Sequence, residues 1–572
     1  MLAAGTACRS PDGSSSVVFT RDVAPILFAN CVTCHRPGEV APFPLMTYQD
    51  ARRHGKQIVM VTESRFMPPW LPVPGYGEFD GARGLSDDER ATLRRWYEQS
   101  MVEGDPEHLP PLPAFAEDWQ LGLPDLVIDM PLEYTLAAEG VDVIRNFVIP
   151  SPLPEARFVE AVELRPGNKK TVHHAVLKVD PTGWSRRLDE EDAEPGFPGM
   201  TMGNAEAPDG HIMVWTPGAT PLPAQPGLAW RLDPGVDLVL QLHMVPSGTV
   251  ERFRARIGLH FADRPPERGT FAILLRDDGI DIPAGMTGYT IEDSFTLPVP
   301  VDVLGIYPHA HYLGKKMRVT ATPPGRSVEW LLRIDDWDFN WQGMYRYAEP
   351  LRLPAGTTIS MEFTYDNSAS NVRNPNVPPR RVVSGNRSSD EMGNLALQLE
   401  PLNRDDLTLL REAQWLDMLE DDPDDPAAHF NLGVEYARRG MPAEAAAHYE
   451  RVIRAEPLDQ AAHFALAGTY VKLKELSRAV LHYEQVLRIN PRKAEAHFLL
   501  GWVLADQGRM EQGAEHLEQA IDIAPDHAMA HYRLGVVRAG QGDSTRAAKH
   551  FREALRLKPD LAAARKRLSG TD

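Results

Sequence analysis

Ile306-Tyr307-Pro308-His309-Ala310-His311-Tyr312-Leu313-Gly314 carries two histidines separated by one residue. On a strand, residues two apart share a face, so both imidazoles can reach one metal ion. A surface histidine pair is the plain alternative. Upstream, Val236–Val245 alternates: Leu238, Leu240, Leu242 and Met244 fall on one face, and Asp237, Gln241 and His243 on the other. His243 therefore points away from the apolar stripe, which argues against a core role. Further upstream, Lys170-Thr171-Val172-His173-His174-Ala175-Val176-Leu177 holds two adjacent histidines. Adjacent residues face opposite sides of a regular strand, so His173 and His174 can meet one metal only where the strand ends or bulges. Phe147–Ile149 and Phe158–Leu164 are further candidate strands, and the frequent Gly and Pro of this region suit antiparallel sheets. His211 reads as a surface or hydrogen-bonded side chain and His260 as a structural residue of a strand.

The chain has 572 residues, a prior of roughly four domains. With 80 acidic and 60 basic side chains its formal net charge is −20, which argues against a general affinity for nucleic acid or anionic membrane. Hydrophobic residues make up 43%, enough for several cores. Only 3 cysteines are present, too few for a disulfide framework. Of 50 prolines, 7 lie in residues 408–572 and 43 before them. Proline is costly inside helices, so the pattern predicts a helical C-terminal module behind a looped, strand-rich body. Leu109–Pro124 reads as a Pro-rich linker. No run of apolar residues is long enough for a membrane span. Met1–Cys8 lacks the charged start and apolar stretch of a signal peptide. Its small residues before Cys8 fit either the stub of a lipoprotein signal or an ordinary N-terminal tail (residues 1–16).

Cys31-Val32-Thr33-Cys34-His35 is a C-x-x-C-H motif. Two thiols on one helical turn can bond the two vinyl groups of a haem, and the following His35 then lies beneath the iron. A zinc half-site is the competitor, but zinc wants further ligands at close spacing, and no cysteine follows Cys34. A sixth iron ligand is expected downstream. Met67, in Arg65-Phe66-Met67-Pro68-Pro69-Trp70, sits in a stiff extended segment; Met46, His54 and Met60 are alternatives. Met60 falls in a predicted helix over Asp50–Glu63, where a core role is expected. Ser86–Ser100 opens with a Ser cap and an acidic first turn and reads as the closing helix. Residues 17–105 resemble a class I c-type cytochrome. The resemblance implies one covalently bound haem c held by Cys31, Cys34, His35 and Met67, and an extracytoplasmic, periplasmic setting.

The tail repeats every 34 residues: Pro423, Pro457, Pro491, Pro525 and Pro559 keep the period. So do His429, His463, His497 and His531, and also His448, His482, His516 and His550. Small residues recur at Gly433, Ala467, Gly501 and Gly535. This pattern resembles tetratricopeptide repeats, an all-α solenoid over 408–572 with a surface for a protein partner. The histidines read as helix-face packing positions, Pro559–Asp572 as a partial capping helix.

Across the body, the order of a His pair, a strand His, a His-x-His and a Met in Ser388-Ser389-Asp390-Glu391-Met392-Gly393-Asn394-Leu395 resembles the copper type II, ascorbate-dependent monooxygenases, the family of peptidylglycine α-hydroxylating monooxygenase and dopamine β-monooxygenase. The stretch from Met213-Val214-Trp215 to Pro217-Gly218-Ala219 adds to it. The resemblance implies two all-β, jelly-roll-like sandwiches, over 126–264 and 265–403 after a linker at 106–125. It implies two copper ions: His173, His174 and His243 would hold the electron-transfer copper, and His309, His311 and Met392 the copper that meets dioxygen. A thioether favours Cu(I). Met361 is a rival thioether, better read as a core residue. The peptide-specific enzyme's substrate-binding Arg falls here on Tyr307, and its Asn and Tyr on Asn394 and Ala396, so only the Asn is retained and a peptidylglycine substrate is disfavoured.

The expectation is thus a multidomain chain: a small all-α cytochrome c, two all-β sandwiches and an all-α repeat solenoid. Its expected function is a copper-dependent monooxygenase that hydroxylates a C–H bond of a small-molecule or peptide substrate with O₂, with electrons relayed from its own haem. No nucleic-acid partner is expected, and membrane contact only through Cys8. A non-catalytic haem and copper electron carrier with a docking tail is the alternative, and a haem sensor gating the copper body is a third.

Overall fold

The computed structural model describes residues 16–115, 119–200, 202, 205–385 and 387–568. Cys8 and the segment Met1–Cys8 lie outside the described residues. The chain divides into two compact units, Met1–Leu407 and Thr408–Asp572. No helix among the described residues is long and apolar enough to cross a membrane.

The first unit opens with three short helices, Ala24–Asn30, Tyr48–Glu63 and Asp87–Glu98. Thr47 with Asp50, and Ser86 with Glu89, form reciprocal capping boxes that fix the starts of the second and third. Phe19, Leu27, Val32, Ile58, Leu93 and Trp96 make their shared core. Met60 does not join it: it is 62% exposed, on the outer face of its helix, which corrects the expected core role. The connecting segment is more than a linker. Trp119 is buried, and Arg165 and Arg256 lie over its ring.

The middle is all-β. One four-stranded sheet runs Leu126–Asp129, Arg256–Phe261, Arg157–Arg165, Trp230–Leu232. A five-stranded sheet runs Phe197–Pro198, Val143–Pro150, Asp237–Met244, Val172–Asp180, Met213–Trp215. Ile128, Val159, Trp230 and Ile257 of the first share a core with Phe147, Leu177, Leu238, Leu240 and Leu242 of the second. Two more four-stranded sheets follow. One orders Phe271–Arg276, Gly393–Pro401, Val301–Ala310, Tyr345–Leu353; the other orders Thr287–Thr296, Thr358–Asp366, Gly314–Thr322, Glu329–Ile334. These sheets face each other at one end. A side chain at Gly393 would strike Ile291 and Tyr365 of the opposite sheet, and the Tyr365 hydroxyl donates to Met392 O at 2.8 Å. Met361 is buried in Thr358–Asp366, in the sheet that does not contain His309 and His311.

The second unit is helical. Antiparallel pairs recur as Pro426–Arg438 with Pro442–Ala455, Gln460–Lys472 with Leu476–Ile489, Ala494–Asp506 with Met510–Ile523, and Ala528–Gly540 with Ser544–Leu557, followed by Ala562–Leu568. The small residues mark where paired helices touch: a side chain at Gly433 would collide with the Tyr449 ring, and one at Gly501 with Gly513 O. The periodic histidines also pair across each helix couple. His463 Nε2–H donates to Pro457 O at 3.1 Å, which leaves its Nδ1 to accept from His482 Nδ1–H at 2.9 Å. His429 with His448, His497 with His516 and His531 with His550 repeat the arrangement.

Candidate metal centre

The strand Val172–Asp180 slips its register against Asp237–Met244 between Val172 and His174. His173 is the bulged residue. That irregularity lets two adjacent histidines serve one point, because the extra residue re-aims a side chain that a regular pleat would send to the other face. His174 stands directly opposite His243. The ligand-capable atoms of His173, His174 and His243 all lie within 4.8 Å of one another.

Hydrogen bonds decide which ring nitrogens remain. His243 Nε2–H donates to Asp142 Oδ2 at 2.8 Å, and its buried Nδ1 has no hydrogen-bond partner among the described residues. His173 Nε2–H donates to Asn340 Oδ1 at 3.2 Å, leaving Nδ1, which lies 3.3 Å from His174 Nδ1. Two nitrogens each roughly 2.0 Å from one tetrahedral ion stand about 3.3 Å apart, so this spacing suits a shared metal. The electrostatics agree. Burial pushes His173 down to about 4 and His174 well below its ordinary value, so both rings offer lone pairs at neutral pH. The bond from His243 holds the Asp142 carboxyl down at about 2, keeping it an anion behind the ring.

His309 and His311 lie beside this triad, with the His309 ring 6.5 Å from that of His174. Gln342 joins them: its Oε1 accepts from His309 Nδ1–H at 2.6 Å, and its Nε2 stands 3.3 Å from His174 Nδ1, a lone pair that a metal at the triad would take in its place. His311 Nδ1–H donates to Asp390 O at 3.1 Å. Both rings of the His-x-His step therefore keep Nε2 free. Burial lowers His309 to about 4 and His311 to about 3. His309 pairs with Asn394 and Ala310 with Gly393, and His311 and Met392 are the residues immediately beyond these two strand ends. Glu391 clasps that corner. Its buried carboxyl accepts from the backbone N–H of His311, from Leu313 N at 2.9 Å and from Met392 N at 2.9 Å. Burial outweighs those three donors and pushes it up to about 8. Tyr307 is half-buried and stacked on His309, its hydroxyl toward Gln342 Oε1 at 3.4 Å. Asn394 shares the His309 face by strand pairing.

A second pocket, a cavity of 260 Å³, is lined by Cys31, Cys34, His35, Ile58, Met67 and Trp341 among others. His35 Nδ1–H donates to Phe43 O at 2.9 Å, which leaves Nε2 for a metal. Burial raises the Cys31 thiol to about 12, so it rests as a thiol. The apolar walls, paired thiols and one free imidazole nitrogen fit a haem fixed through Cys31 and Cys34. Met46 and His54 are both half-buried; His54 stacks on Phe43 at 3.7 Å.

The remaining histidines of the body are hydrogen-bonded or on strands. His211 Nδ1–H donates to Pro208 O at 3.1 Å, and His260 is half-buried on Arg256–Phe261. Sequence reasoning missed Asp142, Glu391 as a clasp, and the run Phe339-Asn340-Trp341-Gln342. Phe339 stacks on His173 at 4.6 Å and meets the His311 ring at 5.4 Å. Nothing in their spacing marks these residues, because each acts through a partner far along the chain.

Comparison with known proteins bears on the second unit. The tetratricopeptide repeat family model matches residues 411–455, 430–493, 469–527 and 500–562. The C-terminal part is a set of such repeats. Among solved structures, MamA is 22% identical, with 28% of this chain and 96% of MamA covered at a TM-score of 0.26. YrrB, described as a TPR protein with an unusual peptide-binding site, is 24% identical, covering 28% of this chain and 83% of YrrB at a TM-score of 0.27. The pilF protein of Pseudomonas aeruginosa is 24% identical, covering 26% and 67% at 0.24. Among curated proteins no relative of the chain is found.

Proposed function

We propose that the chain is a copper- and oxygen-dependent monooxygenase that hydroxylates a C–H bond and draws electrons from its own c-type haem. The observation that carries this reading is the convergence of His173, His174 and His243 beside His309 and His311. In this reading residues 17–105 are a cytochrome c domain and the two β regions are jelly-roll-like sandwiches. His173, His174 and His243 hold one copper; His309, His311 and Met392 hold the other. Cys31 and Cys34 carry the haem, with His35 and Met67 on its iron. Bound copper supplies one-electron exchange with dioxygen, and bound haem stores an electron.

The chain's own side chains set the geometry. Asp142 fixes the tautomer of His243, and Gln342 orients His309. Glu391 locks the backbone on both sides of the His311–Met392 corner. Tyr307 and Ala396 stand where the peptide-specific enzyme has its substrate-binding Arg and Tyr, so the substrate in this reading is a small molecule or peptide other than a peptidylglycine. Thioether attachment of haem implies a periplasmic or otherwise extracytoplasmic site, with Cys8 as the candidate lipid anchor. The repeats supply a surface for a protein partner.

Metal analysis and oxygen uptake of the whole chain test the reading. Two coppers and one haem per chain, with oxygen uptake that depends on an added substrate extract, are expected. Haem without copper, or both without substrate-dependent uptake, would leave an electron carrier instead.

A further inference from the structure

One short turn, Phe339–Trp341, touches both candidate redox sites. At one end Trp341 forms part of the wall of the Cys31, Cys34 and His35 pocket, and packs edge-on against Phe66, another wall residue, at 6.2 Å. Its buried Nε1 has no hydrogen-bond partner among the described residues. Next in the chain, Asn340 accepts from His173 Nε2–H at 3.2 Å, while Phe339 lies flat on the same ring. Asp338 holds the turn: its carboxylate accepts from Asn340 N at 3.0 Å and Asn340 Nδ2 at 2.9 Å, so the carboxamide oxygen is aimed at His173.

The helical module is seated to use this contact. Arg83 Nη1 donates to Gly218 O at 2.7 Å, Lys169 pairs with Glu39 at 2.7 Å, and Asp80 pairs with Arg346 at 2.6 Å. Gly218 has φ +79° and lies so close to the thiol that a Cβ there would stand 2.8 Å from Cys34 Sγ. Ion pairs at the rim and a glycine at the point of closest approach hold the pocket's Cys34 side against the β body.

We infer that Trp341 and Asn340 are the electron conduit from the haem pocket to the His173 site. This rests on the reading above. One electron leaves ferrous haem, which becomes ferric, and arrives at a cupric ion held by His173, which becomes cuprous; no atom or proton moves. The route crosses covalent bonds from Trp341 to Asn340 and a single hydrogen bond into the His173 ring. Electronic coupling through bonds and packed rings exceeds coupling across a gap, so a contiguous route of this kind dominates. Trp341 is a positioning and relay residue and touches no substrate in this scheme.

The test is pulse reduction of the haem- and copper-loaded whole chain without oxygen, following haem absorbance and the cupric paramagnetic signal together. In the unaltered protein the ferrous haem should reoxidise as the cupric signal falls, at a rate independent of protein concentration. Trp341→Leu should slow that step, with haem potential and copper content unchanged, and Trp341→Phe should restore most of the rate. Asn340→Ala should slow it as well. Equal rates in the unaltered and Trp341→Leu proteins would overturn the conduit while leaving the function standing. Slowing matched by a shifted haem potential would also overturn it. Haem that stays ferrous beside cupric copper in the unaltered protein would overturn the function and the conduit together.

Discussion

The β body and the repeat tail both bury histidines in facing pairs, yet the two sets are chemically opposite. In the tail each buried ring is matched: His463 gives its N–H to Pro457 O and takes one from His482, so the pair closes on itself. In the body the outward N–H groups of His173 and His243 are taken by Asn340 and Asp142, and the lone pairs are left facing one another. Buried lone pairs without donors are costly. A bound cation would relieve that cost in the body, and the tail has no such need. The fate of the second ring nitrogen, rather than the presence of two histidines, separates a candidate metal centre from a packing motif.

The contrast is broken most severely at His243. Replacing it with Ala should lower copper content from two per chain to one, measured by elemental analysis, because the remaining pair lacks its third nitrogen. A smaller change tests the outward partner. Asp142→Asn keeps the size but removes the anion behind His243, and copper affinity at the triad should fall by about 10–100-fold in a competition titration with a chelator. Unchanged affinity would mean that Asp142 does not orient the ring.

The tail should answer differently. His463→Ala leaves Pro457 O and His482 without their partner and should destabilise the repeats by about 1–3 kcal/mol in denaturant unfolding, with copper content unchanged. Lost copper would contradict the contrast. The smallest effect is on pH. Burial and the neighbouring His463 push His482 from 6.5 down to about 4. The unfolded chain then takes up the proton first, so the repeat unit should be most stable above pH 6.5 and lose stability as pH falls from there toward about 4. A repeat-unit melting temperature flat across that window would show that the pairs contribute nothing through their protonation.

Much of this was legible in the sequence, and for physical reasons. The period of 34 fixes the tail because each repeat must present the same faces to its neighbours. The alternation around His243 is legible because one face of its strand fills the core with Leu238, Leu240 and Leu242. The adjacency of His173 and His174 even demands a bulge, and the register slips there. The supporting residues were hidden. Asp142 meets His243 across 101 positions of chain, and Gln342 reaches His174 across 168. Local pattern carries no trace of such pairings, since a lone Asp or Gln looks the same whether it is solvated or holds a ring. Met60 was misplaced for a related reason. Its helix has one buried face, carrying Ala51, Gly55, Ile58 and Thr62, and Met60 stands outside it.

Oxygen insertion at the body's histidine cluster would leave its mark in the product. The direct measurement is mass spectrometry of products after the reduced, copper- and haem-loaded chain meets isotopically heavy dioxygen in an extract of its own cell. One heavy oxygen atom in a product, lost in the His309→Ala protein, is the result expected. Oxygen consumed with no heavy atom in any product, or incorporation that survives His309→Ala, would contradict it.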